Sequence, residues 1–220
     1  MKDNCVILFL AAPSPERIDP QLKTALGAER ACQVYADVAR QVFRELKKLK
    51  NVYPMAVYKG DSNFPDLRWL DADDPGFLVP RGDTDEERFF SAARWPFEAG
   101  AKRVIILSAL APGVPAGWLD NAFEALKEKH LALGVTAEGD CYAIGMNGLY
   151  PSVFAGYPWE GKRFADIIAE RAKYARLSIY SLPEFYIVKD GKTCCKEIPQ
   201  EGGAVEPDSS APAKKNGISS

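Results

Sequence analysis

Short apolar runs alternate along this chain with segments whose apolar residues recur every three or four positions. The runs at 5–10, 53–58, 77–79, 103–107, 131–136, 141–146 and 177–182 read as strands. Most are apolar throughout, as strands covered on both faces must be. The spacing predicts a helix over 28–49, where Val34, Val38, Val42, Leu46 and Leu49 share one face. A second helix spans 85–98, with Pro96 ending or kinking it. A third follows Pro115, with Trp118, Leu119, Ala122, Phe123 and Leu126 on one side. A fourth is built on Phe164, Ile167, Ile168 and Ala175. Strands and helices alternating over residues 1–190 predict a single α/β domain with a mostly parallel sheet. Ligands of such sheets bind at the carboxyl ends of the strands. Residues 191–220 are rich in Gly, Pro, Ser, Ala and Lys, with little apolar to bury. They read as a disordered C-terminal tail.

The chain of 220 residues is 47% hydrophobic and 26% charged, an ordinary globular balance. Its 28 basic and 30 acidic residues leave a net charge of −2, which argues against a nucleic-acid or membrane-surface binder. The apolar run at 5–12 is far shorter than the about 20 residues a membrane span needs. Asp3 before it and Pro13 after it favour a buried strand over a secretory leader. Five cysteines without framework spacing fit a reducing, cytoplasmic setting. Nine acidic and three basic residues fall between Asp61 and Arg88, and they read as a solvated surface.

Several chemistries are excluded by what is missing. There is no phosphate-binding G-x-x-x-x-G-K-[ST], no dinucleotide G-x-G-x-x-G, no H-E-x-x-H and no G-x-S-x-G. Cys194 and Cys195 adjoin without a second pair to complete a soft-metal site. His130 is the single histidine; among its polar neighbours it reads as a helix-end cation or a solvated residue. The informative segments are the loops at strand ends. They are 12–17, with Leu22 and Leu26-Gly27 beyond; 82–89; 108–113; 138–145; and 153–159.

In this order these loops resemble the bacterial GT-A-like nucleotide-diphospho-sugar transferases associated with radical-SAM selenodomain proteins, over about residues 4–190. The family's opening F-A-K-x-P-x-P-G-x-V-K-T-R-L-x-x-x-L-G is matched by Phe9, Pro13, Pro15, Arg17, Leu22, Leu26 and Gly27. Its G-D-L-G-E-R-M is similar to 82–89, its G-S-D-x-P-G to 108–113, its D-G-G-Y-x-L-x-G to 138–145, and its L-F-x-x-I-P-W to 153–159. The resemblance implies a GT-A-like three-layer α/β/α sandwich and a nucleotide-sugar donor. By the same token Pro13, Arg17, Lys23, Ser108, Pro112, Gly113, Tyr142 and Trp159 are candidates for binding the nucleotide or substrate. Glu138 and Asp140 are the remaining candidates for a catalytic acid or base.

Departures from the pattern sit where the chemistry would. A diphosphate leaving group is normally stabilised by Mg²⁺ or Mn²⁺, which take carboxylate oxygens. The acid expected at the end of the central strand is Leu110 here. The basic K-T-R of the first loop has become Asp19-Pro20-Gln21, and the family's terminal D-V-D is replaced by Tyr186-Ile187-Val188. No metal ligand is therefore assigned. Two readings follow: a transferase working without the usual metal site, or a catalytically inactive homologue kept as a nucleotide- or protein-binding module.

Overall fold

The computed structural model describes residues 2–59, 66–73, 76–156 and 164–189. Seven strands form one sheet in the order β3-β2-β1-β4-β6-β5-β7. They are β1 (Asn4–Ala11), β2 (Val52–Lys59), β3 (Phe77–Leu78), β4 (Arg103–Leu107), β5 (Leu131–Val135), β6 (Cys141–Met146) and β7 (Ile179–Ser181). Six run in one direction, and β6 is antiparallel to both of its neighbours. The helices are α1 (Pro20–Leu26), α2 (Ala28–Lys48), α3 (Asp85–Glu98), α4 (Ala116–Ala125), α5 (Pro151–Phe154) and α6 (Phe164–Tyr174).

Alternation along the strands creates two cores, one on each face. Val6, Leu8 and Leu10 of β1 pack with Leu22 of α1, Val38 and Val42 of α2, and Leu119 and Phe123 of α4. Cys5 and Ile7 point the other way, into a cluster with Phe89 of α3, Phe154 of α5 and Ile168 of α6. The result is a three-layer α/β/α sandwich. Each buried Leu, Ile or Phe contributes about 1.5–3 kcal/mol relative to exposure, so the two clusters are the main source of stability.

All seven expected strands and four expected helices are present. Pro96 lies inside α3, two residues before its end at Glu98. There the N–H groups of Gly100 and Ala101 donate to the Phe97 and Pro96 carbonyls, and the helix stops. Pro54 is tolerated within β2 because β3 pairs only with Ala56 and Val57 and leaves that side of Pro54 unpaired. Two short helices were not foreseen. One of them, α1, starts where the Asp19 carboxylate accepts from the N–H groups of Gln21 and Leu22, and it buries only Leu22. The tail at 191–220, with Cys194 and Cys195, lies outside the described residues.

Candidate functional site at the strand ends

The chain leaves β1 in one direction along the sheet, toward β2 and β3, and returns on the other side with β4. The reversal between β1 and β4 opens a crevice above their carboxyl ends. Because β6 is reversed, its first residues arrive at the same edge: Leu107 pairs with Ala143 and Ile106 with Ile144. A cleft of about 260 Å³ lies there, with Phe9, Tyr35, Leu107–Leu110 and Cys141–Ile144 around it. That is just below the about 300 Å³ at which drug-sized ligand pockets begin.

Each wall has an identifiable cause. At the end of β1, the N–H of Ala11 donates to the Tyr35 hydroxyl over 3.0 Å, which ties α2 to the strand. Burial pushes the Tyr35 phenol up to about 12, although the Ala11 bond opposes the shift. At the end of β4, the Ser108 N–H donates to the Tyr142 carbonyl (2.8 Å), and the Ser108 hydroxyl accepts from the Leu110 N–H (3.2 Å). The turn continues through buried Pro112 to Gly113, whose φ of 77° lies in the left-handed region. Pro115 then stands at the position just before α4, without a side-chain bond to the helix N–H groups. Burial also pushes the Cys141 thiol up to about 12.

The segment after β1 carries both candidate cations, Arg17 in the loop and Lys23 on α1. Pro13 opens it, and the N–H groups of Arg17 and Ile18 donate to the Ser14 carbonyl. Lys23 reaches back to the Pro15 carbonyl over 3.0 Å. The Glu16 carboxyl is held below its ordinary value by its own backbone N–H and the Ser14 hydroxyl, with smaller help from Lys23 and Arg17. Asp19, one of the departures from the basic first loop, sits at the start of α1. Its carboxylate is used by the first N–H groups of α1, and the positive end of the helix offsets its charge.

Between β5 and β6 the chain turns through Thr136 and Asp140: the Thr136 N–H donates to the Asp140 carbonyl, and the Thr136 hydroxyl accepts from the Asp140 N–H. Glu138 is exposed at the tip. Asp140 is committed to an ion pair with Lys189, the two side chains being 20% and 31% exposed. Tyr142 is 1% exposed. Its ring lies across Gly134 and its hydroxyl donates to the Pro183 carbonyl over 2.7 Å. It therefore walls the cleft from within the core. Trp159 lies outside the described residues.

A feature that sequence reasoning missed closes one side of the site. Beyond β7 the chain crosses the strand ends as a strap. Leu182 donates to Leu133, Phe185 to Val135, and Val188 to the Leu110 carbonyl over 2.8 Å. Phe185 packs against Trp118, Tyr142 and Tyr186. His130, read as solvated or a helix-end cation, instead serves at the opposite edge of the sheet. Its Nδ1 accepts from the Ser178 N–H (3.1 Å) and lies 2.9 Å from the Ser178 hydroxyl, which pins β7 to β5.

The donor set does not fit a hard divalent cation. Leu110 offers only a carbonyl, already bonded to Val188, and Asp140 is paired with Lys189. Among the described residues no three His, Cys, Asp or Glu side chains come together to hold a metal. No helix of the described residues is long and apolar enough to cross a membrane.

This strand order, the reversed β6 and the crevice at the β1/β4 switch point define the GT-A-like fold of nucleotidyl- and glycosyltransferases. Among solved structures, a protein of Desulfovibrio desulfuricans G20 described as a "putative nucleotide-diphospho-sugar transferase" is 25% identical. The match covers 86% of this chain and 84% of that one with a TM-score of 0.78. CMP:2-keto-3-deoxy-manno-octonic acid synthetase in complex with CTP shares the fold at 11% identity, with 87% and 95% of the chains covered and a TM-score of 0.54. Glucosyl-3-phosphoglycerate synthase of Mycobacterium tuberculosis, solved with Mn²⁺, UDP and glucosyl-3-phosphoglycerate, does so at 9%, with 85% and 72% covered and a TM-score of 0.53. Residues 42–161 match the family described as "Uncharacterized protein conserved in bacteria (DUF2064)", and the chain belongs to that family. No curated protein matches it by sequence.

Proposed function

We propose that this protein is a glycosyltransferase-like nucleotide-binding module. It holds a nucleoside diphosphate or sugar nucleotide in the β1/β4 cleft without a divalent cation, and it is silent as a transferase. The observation that carries the reading is the cleft itself, which lies at the switch point where doubly wound sheets bind ligands. Phe9, Tyr35 and the 141–144 stretch give it an apolar body suited to a base, and Ser108 offers a polar contact. Support for silence comes from Leu110, which leaves the end of β4 without the carboxylate that the resemblance implies there. A nucleotide-sugar-dependent transferase without a metal is the second reading, favoured by the likeness to the Desulfovibrio protein.

A thermal-shift screen of uridine, cytidine, guanosine and thymidine diphosphates, each with Mn²⁺, Mg²⁺ or EDTA, tests this. A ligand that binds only the native state raises Tm, by about 2.7 kcal/mol of stabilisation at a hundred times Kd. The proposal expects at least one nucleotide to raise Tm equally in all three conditions. A shift that needs Mn²⁺ contradicts the metal-free reading. No shift with any nucleotide contradicts nucleotide binding itself. Release of sugar from a bound sugar nucleotide onto water or an acceptor would favour the second reading.

A further inference from the structure

Where a metal-dependent site would present carboxylates, two apolar residues meet and a lysine stands next to them. Val188 is fully buried and its N–H is bonded to the carbonyl of Leu110, a residue of the cleft wall. The next residue is Lys189, and its ammonium is paired with Asp140, the residue immediately before the cleft residue Cys141. Two chain segments 49 residues apart thus bring one cation to the rim of the cleft. Both partners keep a share of their surface in water, so a ligand reaches the ammonium without opening the core.

We infer that Lys189 is the diphosphate-binding cation of this cleft, held ready by Asp140 and handed to the ligand's phosphate oxygens when a nucleotide binds. This rests on the reading that the cleft takes a nucleotide. Asp140 and a diphosphate compete for the same ammonium. The strap delivers Lys189 through the Val188–Leu110 bond, so the apolar pair that removes the cation site also positions its replacement. A lysine is a compact point charge with three donors, suited to phosphate oxygens that have no fixed approach direction.

The competition predicts opposite signs for two substitutions. Lys189→Met removes the cation and leaves Asp140 facing the phosphates, so Kd for the nucleotide weakens about tenfold or more, as for loss of a charge-assisted hydrogen bond. Asp140→Asn releases the ammonium and removes a repelling charge, so Kd tightens severalfold. The turn is kept in Asp140→Asn, because its bonds to Thr136 use only the Asp140 backbone N–H and C=O. Titration calorimetry in EDTA, with uridine and cytidine diphosphate and with inorganic pyrophosphate, measures both, and Lys173→Met on α6 serves as the remote control. Weakening in Lys189→Met together with tightening in Asp140→Asn supports the assignment. Nucleotide binding that survives Lys189→Met, or that weakens in Asp140→Asn, overturns it and leaves the nucleotide cleft standing. Wild-type protein that binds neither a diphosphate nor pyrophosphate overturns both.

Discussion

Gly134→Ala should destabilise the protein although it adds one methyl group to a strand. Gly134 pairs with Ala143 on β6. A Cβ there would lie 2.4 Å from Cζ of Tyr142 and under 3 Å from two further ring atoms. The ring has nowhere to go. Its hydroxyl is bonded to the Pro183 carbonyl at 2.7 Å, and Phe185 packs against it with centroids 5.6 Å apart. Overpacking costs about 1–3 kcal/mol, and loss of the hydroxyl bond adds about 1 kcal/mol. Replacing glycine returns about 0.4–1 kcal/mol by restricting the unfolded chain. The net is about 1–3.6 kcal/mol, or a fall in Tm of about 2–14 °C for a domain of this size. Urea denaturation of Gly134→Ala, Tyr142→Leu and the double variant measures it. The double variant should be more stable than the sum of the single losses by about 1 kcal/mol or more, since the smaller side chain makes room for the methyl. A neutral Gly134→Ala, or strict additivity, would refute the packing argument.

Three further outcomes follow from local geometry. Asp19→Ala removes the acceptor for the first N–H groups of α1 and should cost about 1 kcal/mol by urea denaturation, with the rest of the sheet unchanged. Tyr35→Phe leaves the Ala11 N–H without its partner at the end of β1; about 1–3 kcal/mol is expected, read from the same unfolding curves. The Glu87 carboxylate accepts from the N–H groups of Thr84 and Asp83, which lower its pKa from 4.5, so its contribution is present above that pH and lost as pH falls through the depressed value. Glu87→Gln keeps the cap, and its stability should fall less steeply than wild type in an acid titration below pH 4.5.

How far the sequence could be read depended on where each signal was carried. The strands were legible because buried parallel strands are continuous apolar runs, and α2 because its eight buried residues recur at helical spacing. The short α1 was not, since a helix burying only Leu22 has no periodicity, and its start depends on Asp19, which read only as a departure from the basic first loop. The strap at 182–189 left no pattern either. It is held by single backbone bonds and by Phe185 packing on residues from two other elements. Leu110 was recognisable as a departure, but its bond to Val188 and the pairing of Asp140 with Lys189 join residues 78 and 49 positions apart, which no local spacing encodes. His130 was misjudged for the same reason: its partner, Ser178, is 48 residues away.

The most direct test of the central claim is the amide chemical-shift map of the isotopically labelled protein titrated in EDTA with the diphosphate that gives the largest thermal shift. The account predicts saturable changes concentrated at 9–17, 106–113 and 140–144, with Lys189 among them and the pinned His130–Ser178 edge unmoved. Changes at that far edge, or none without Mn²⁺, would contradict it.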